Sequence, residues 1–231
     1  MFAQNHDQVG NRRLGDRLGQ VVCFEQAKLA AGTVLFSACV PLLFMGEEYA
    51  EPAPFLYFVS HGDPSLIEAV RRGRREEFAS FEWEGELPDP QEEKTFLSSK
   101  LHWELKAEGR HSVLWNFYHD LLKLRRDVPA LARLDKVAQK VATFTEQKVI
   151  FLRRGEGQEQ VFIVYHFDRA TAELMLPVPR GRWRKMLDSA AQQWGGPGSH
   201  APDMLDSGGE VQLTLSPWAL LAFTASDEIA R

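Results

Sequence analysis

The chain has 231 residues, 44% of them hydrophobic and 26% charged, and a net charge of −5 from 27 Lys+Arg against 32 Asp+Glu. That length suits one large domain or two small ones with a real core, and the composition is that of an ordinary soluble globular protein. No long single-sign block occurs, which argues against the basic face of a nucleic-acid binder. Two cysteines, Cys23 and Cys39, make neither a disulfide framework nor a metal site and fit a reducing cytoplasm as small hydrophobes.

In chain order, "MFAQ" reads as a stub of strand ending in a polar Asn5-His6-Asp7 loop. Gln4 to Arg17 is mostly polar, with no apolar stretch, so no signal peptide is expected. Residues 19–32 read as a helix with Val22, Leu29 and Ala30 among its apolar positions and Gly32 as its stop. The apolar run over 33–46 contains Pro41 and falls short of the roughly 20 residues that span a bilayer. Its last part, "PLLFMG" (41–46), predicts a strand covered on both faces in a parallel sheet. Gly46-Glu47-Glu48 then places two carboxylates at that strand's C-terminal end.

Pro52 to about Lys100 is long, irregular and proline-rich, with one helical piece, "PSLIEAVRRGRREEF". The "RRGRREE" run inside it reads as a solvated helix end with internal Arg–Glu pairing. The clearest helix covers about 112–126: Leu114, Phe117, Tyr118 and Leu121 form an i, i+3, i+4, i+7 stripe, and Pro129 must end it. From about residue 134 the period changes to two. "KVIFLRR" and "QVFIVYHF" flank a Gly155/Gly157 turn as a hairpin, "EVQLTLS" turns Val211, Leu213 and Leu215 inward, and "WALLAFTA" reads as a core strand. The pattern predicts an α/β part over 1–133 and an antiparallel β-sandwich over 134–231.

By itself, His-Asp in a polar loop reads most simply as turn hydrogen bonding by Asn and Asp side chains. No second ligand cluster lies nearby at metal spacing, so no cofactor is expected. No G-x-S-x-G exists to serve a Ser-His-Asp triad, and "SHGD" (60–63) is a turn before Pro64. Context changes the weighting. Strand, polar loop, helix, then a buried strand ending in Glu-Glu is the repeating unit of a parallel barrel, whose sites lie at the C-terminal strand ends.

"FAQNHDQVGNRRLGDRL" resembles the last conserved motif of the α-amylase superfamily of glycoside hydrolases, on the seventh strand of a (β/α)8 TIM barrel. "PLLFMGEEYAEPAPFLYFVSHGDPSLIEAVRRGRREEFASF" resembles the eighth strand and following loop of the malto-oligosyltrehalose trehalohydrolases within it, and the likeness continues through "LHWE", "FYHDLLKLRRDVPAL" and "LSPWALLAF". The resemblance implies retaining hydrolysis of the α-1,4 bond next to the trehalose end of a malto-oligosyl trehalose, an α-glucan, releasing trehalose. It makes 1–133 the C-terminal part of the catalytic barrel, partnered by a missing N-terminal part that holds the nucleophile and the general acid. Asp7 matches the family's transition-state-stabilising acid and His6 its sugar-binding histidine. Asn5, Gln8, Glu47 and Glu48 are the further substrate-binding candidates. The expected chain is cytoplasmic, with no nucleic-acid or membrane partner, and inactive alone. Trp115 and Trp218 are expected to pack in the core, while Trp83 and Trp103 stay open as sugar platforms. The competing readings are another α-amylase-type enzyme, such as a glycogen branching enzyme, and a non-catalytic carbohydrate-binding or structural fragment.

Overall fold

A computed structural model describes residues 1–79 and 87–226. Among these, the helices are α1 (His6–Gly10), α2 (Leu18–Val21), α3 (Phe24–Leu35), α4 (Pro64–Phe78), α5 (Glu93–Leu97), α6 (Gly109–Asp127) and α7 (Pro129–Ala132). The strands are β1 (Gln139–Phe144), β2 (Val149–Arg154), β3 (Val161–His166), β4 (Ala172–Leu176), β5 (Gly181–Asp188), β6 (Met204–Ser207), β7 (Val211–Leu215) and β8 (Leu220–Ser226). The chain forms two compact units. One holds Met1, Cys23–Pro41 and Ser112–Arg231; the other holds Phe2–Val22 and Leu42–His111.

In the first unit, six strands form an antiparallel sheet in the order β1-β2-β3-β8-β5-β6, and β4 pairs with β7 in a second sheet. The inward side chains meet in one apolar core: Phe151, Phe162, Val164, Trp183, Leu205, Leu221 and Phe223 from the large sheet, Leu174, Leu176, Leu213 and Leu215 from the small one. Phe162 sits at its centre, stacked on Phe223 at 4.8 Å and edge-on to Trp183 at 5.0 Å. This is an antiparallel β-sandwich, and the hairpin expected between 148 and 167 pairs Leu152 with Ile163. Its turn needs Gly155 (φ 80°), where a Cβ would lie 2.1 Å from the Glu159 carbonyl oxygen.

The two central strands are buried on both faces. β3 has no exposed residue, and Leu220 and Ala222 of β8 are buried although they point away from the sandwich core. Helix α3 covers that side. Gly32 marks the closest approach, since a Cβ there would stand 2.0 Å from Leu220 Cδ2. So Gly32 does not stop the helix, which runs on to Leu35; it lets the helix lie against the strand. The helix expected over 19–32 is also two helices, broken at Val22–Cys23, because the Gln26 side chain accepts from the Cys23 amide at 2.9 Å and starts a new helix there.

The long helix is as expected, with Leu114, Phe117, Tyr118 and Leu121 buried and Pro129 opening α7. Its Arg125 reaches the orphaned carbonyls after α3, donating to Leu35, to Ser37 at 2.9 Å and to Cys39 at 2.7 Å. Arg154 adds a bond to Phe36 O at 2.9 Å. Two cations thus cap one helix C-terminus, where the carbonyl dipoles favour positive charge.

Two expected strands are not formed. Residues 1–4 and 41–44 are irregular and carry no ladder, and 45–46 form a turn. The Met1 amino group donates to Val40 O, just before the second segment, at 2.8 Å. An extended segment becomes a strand only when neighbours share its N–H and C=O groups. Nor is the 41–46 run covered on both faces: Leu42 and Met45 are 50% and 45% exposed, and Phe44 alone of its large side chains is buried. Trp218 lies in the turn before β8 at φ 53°, not in a core strand, and is half-buried; Trp115 is at the edge of exposure on α6. Trp83 lies outside the described residues.

Candidate functional site

The expected polar loop is the start of a helix. Asn5 takes an extended conformation and caps α1, its Oδ1 accepting from the Gln8 amide at 2.9 Å. His6 and Asp7 therefore occupy the first turn with side chains about 70% exposed, His6 Nε2 lying 3.2 Å from Asp7 Oδ1. The Asn-His-Asp-Gln order gives one residue a structural task and leaves an imidazole and a carboxylate facing outward. Gln8 is exposed beside them.

Glu47 and Glu48 sit in a single turn of 3-10 helix, Glu47–Tyr49, bracketed by Gly46 at φ 86° and Ala50 at φ 53°. A Cβ on Gly46 would lie 2.6 Å from Glu51 Cβ, so this tight turn depends on glycine. Glu47 is buried and Glu48 half-buried. The two clusters meet through Gln4, which the sequence did not single out. Its Nε2 donates to Glu47 Oε2 at 3.3 Å while its Oε1 accepts from the Leu18 amide at 2.9 Å. Gln4 is buried, next in sequence to Asn5, and so ties the residue before the cap to the first carboxylate of the turn.

Below the turn lies a set of buried polar groups that sequence reasoning also missed. Arg17, 2% exposed, donates from Nε to Ala53 O and from one terminal nitrogen to Met45 O, both at 2.6 Å, and stands 5.1 Å from the Phe44 ring centre. Glu51, 1% exposed, accepts from Tyr49 Oη at 2.8 Å, from the amides of Ala53 and His102 at 2.7 Å, and pairs with His102 Nδ1 at 2.9 Å. Burial lowers the Arg17 guanidinium, opposed by the charges of Glu51, Tyr49, Glu48 and Glu47. Burial raises the Glu51 carboxyl, but the His102, Ala53 and Tyr49 hydrogen bonds outweigh it and leave it below the ordinary range. Burial and the bond to Glu51 push the Tyr49 phenol up, and the Glu51 bond holds His102 above its ordinary value. The one available signal was composition: Arg17, Tyr49 and Glu51 are polar residues inside motif stretches where an exposed loop would tolerate anything.

Trp103, 52% exposed, follows His102 and lies 6.0 Å from the Tyr49 ring, which puts an aromatic face beside the Glu47–Tyr49 turn. The arginine run of α4 pairs internally as expected, Arg72 with Glu76 at 3.9 Å and Arg74 with Glu77 at 2.8 Å. It also does more: Arg71 bonds Asp89 at 2.7 Å, and Arg74 reaches Gly10 O at 3.2 Å and stacks over Tyr57 and Phe78. A cleft of about 880 Å³ beside this helix is lined by Arg13, Arg71, Arg74, Arg75 and Asp89 among others, and by none of Asn5, His6, Asp7, Gln8, Glu47 or Glu48. In "SHGD", Asp63 caps α4 by accepting from the Ser65 amide at 2.8 Å, and His61 is bonded through its backbone to Gln91. Among the described residues no group of three His, Cys, Asp or Glu could hold a metal ion.

What this arrangement offers chemically is a set of hydrogen-bonding acceptors and one imidazole on a turn, with carboxylates buried or braced beneath it. That chemistry suits neutral polyols. Residues 144–226 match the family described as alpha amylase, C-terminal all-beta domain. A malto-oligosyltrehalose trehalohydrolase of Deinococcus radiodurans is 39% identical over 184 residues, covering 77% of this chain and 30% of that protein. The enzyme of the same name from Rhizobium sp. (strain M-11) is 45% identical over 133 residues, 57% of this chain and 22% of that one. The chain thus spans less than a third of the length of these relatives. Among solved structures, a putative α-amylase from Salmonella typhimurium superposes with a TM-score of 0.74 at 33% identity, over 97% of this chain and 35% of that one. An α-amylase from H. orenii shares the fold with a TM-score of 0.58 at 17% identity, over 97% of this chain and 39% of its own.

Proposed function

We propose that this chain, which carries the sequence of the C-terminal portion of the malto-oligosyltrehalose trehalohydrolases of the α-amylase family, supplies one acid and part of the sugar-binding surface of a retaining glycoside hydrolase that releases trehalose from malto-oligosyl trehalose. The observation that carries the reading is the Gln4–Glu47 bond of 3.3 Å, which draws the Asn5–Gln8 turn and the Glu47–Glu48 turn into one site. The relatives' shared name favours the trehalohydrolase over a branching enzyme. Residues 1–133 are read as the last strand–helix units of a (β/α)8 barrel and 134–231 as the sandwich that follows. The all-β family match over 144–226 and the Salmonella typhimurium superposition support that division.

In this reading Asp7 stabilises positive charge developing on the sugar ring, because a carboxylate binds an oxocarbenium-like ring more tightly than the ground state. His6 donates to hydroxyls of the same sugar, and Asn5, Gln8, Glu47 and Glu48 add further polar contacts. The nucleophile and the acid/base, which must stand about 5–5.5 Å apart across the scissile bond, come from barrel strands outside this sequence. No cofactor takes part. A cytoplasmic setting fits the two unpaired cysteines; no described helix is long and apolar enough to cross a membrane.

The test is a trehalose-release assay on the 231-residue chain, on the N-terminal portion of a relative such as the Deinococcus radiodurans enzyme, and on their mixture. Release is expected from the mixture only. Robust release by this chain alone would overturn the division of labour. In a complete enzyme, Asp7→Asn is expected to lower kcat about 10²- to 10³-fold with little change in substrate affinity.

A further inference from the structure

We infer that Arg17 is a positioning residue for substrate binding, holding the Glu47–Glu48 turn so that Glu47 presents its carboxylate beside the Asn5–Gln8 turn. The inference rests on the function proposed above and adds to it a residue that no motif assigns. Residues 46–53 contain little to keep them in place by themselves. Their backbone bonds are those of one short turn and its entry, Glu47 N to Phe44 O at 3.0 Å, Ala50 N to Glu47 O at 3.2 Å, Tyr49 N to Gly46 O at 3.4 Å and Glu51 N to Gly46 O at 2.9 Å. Two residues of the turn, Gly46 and Ala50, take positive φ. For Ala50 that conformation costs about 1 kcal/mol or more and persists only where the surroundings hold it.

Gln20, which donates to Pro52 O, and His111, whose Nδ1 lies 2.6 Å from Tyr49 O, each hold one point of the segment, and Arg17 bridges its two ends. Its guanidinium bonds Met45 O on one side of the turn and Ala53 O on the other, so a single rigid, planar group spans both ends. Phe44, just before the turn, covers one face of it. The next residue along the chain, Leu18, gives its amide to Gln4, whose other end donates to Glu47. Arg17 and Leu18 therefore anchor the turn's backbone and, through Gln4, the carboxylate of Glu47. Glu51 braces the same turn from within and does not pair with Arg17 by a hydrogen bond; its acceptors are filled by Tyr49, Ala53 and His102. The remaining terminal nitrogen of Arg17, Nη2, is buried without a hydrogen-bond partner.

The experiment compares Arg17→Lys and Arg17→Met, each alone and with Glu47→Gln, in the complete enzyme. Kinetics on malto-oligosyl trehalose are read beside amide hydrogen exchange. Positioning predicts that Arg17→Met raises KM about tenfold while kcat changes less than about threefold, and that Arg17→Lys, which keeps the charge and one of the two bonds, recovers part of the loss. Added to Glu47→Gln, Arg17→Met should cost almost nothing further, because both act through one carboxylate. Exchange should rise selectively at 46–53 and stay unchanged in β2, β3 and β8. Losses that multiply in the double variant, or unaltered exchange at 46–53, would overturn the inference. If Arg17→Met fails to fold, Arg17→Lys is judged on the same readings. If the wild-type enzyme releases no trehalose, the proposed function falls by itself, and exchange at 46–53 in Arg17→Lys alone decides whether Arg17 holds the turn.

Discussion

The sandwich strands and the turn around Glu47 are both well buried, yet they are held by opposite means. From Val149 to Phe223 the core consists of aromatic and aliphatic side chains contributed alternately by two sheets, and the backbone satisfies itself through ladders. Around 44–53 the backbone has no ladder, and side chains take over much of its hydrogen bonding: Arg17 for the Met45 and Ala53 carbonyls, Gln20 for the Pro52 carbonyl, His111 for the Tyr49 carbonyl and Glu51 for the Ala53 amide. The first kind of order is spread over many replaceable contacts. The second rests on a few groups, each of which leaves buried polar partners behind when removed.

The comparison can be broken at four places, in order of expected effect. Phe162→Ala removes a fully buried ring that touches Phe151, Trp183 and Phe223; a loss of about 3–5 kcal/mol is expected. Because the core is continuous, chemical denaturation should show β2, β3, β5 and β8 losing protection together. Separate melting of those strands would contradict a single sandwich core. Glu51→Ala strands the Tyr49 hydroxyl and the Ala53 and His102 amides, for a cost of about 3 kcal/mol. Here the expected sign is local, with faster exchange at 46–53 and 99–103 and unchanged protection in β3; a uniform loss over the whole chain would erase the contrast.

Gly32→Ala tests the helix that covers the outer face of β8. Leu220 must turn aside to admit the methyl group, at an expected cost of about 1–3 kcal/mol. A neutral result by thermal melting would mean that α3 is free to shift on the sheet. The smallest effect is that of pH on the Glu51–His102 pair. His102 is raised above its ordinary 6.5, so its share of the stability is complete below that value and is lost as pH rises through the folded one. Glu51 is lowered below its ordinary 4.5, so its share is present above that value and is lost as pH falls through the folded one. The pair is therefore strongest between about 4.5 and 6.5. Titration of His102 by NMR should show the raised midpoint, and Glu51→Gln should return it toward 6.5; an equal midpoint in both proteins would separate the two groups.

The sequence by itself determined the sandwich and the long helix. Alternation in 149–166 and 211–215 and the stripe Leu114-Phe117-Tyr118-Leu121 are statements about which side of a regular element is apolar, and regular elements repeat what a few residues say. It also singled out His6, Asp7, Glu47 and Glu48 as candidates, because their place in quoted motifs does not depend on geometry. Tertiary structure decided the rest. An apolar run such as 41–46 states what is hydrophobic, but a strand exists only where neighbours complete its ladder, and Leu42 and Met45 stay exposed. The break of one expected helix at Cys23 came from a single glutamine side chain accepting its amide. The positions of Gln4, Arg17 and Glu51 were invisible for a related reason. Each bonds backbone groups 14 to 51 residues away. Such partners follow no period, so no local pattern announces them.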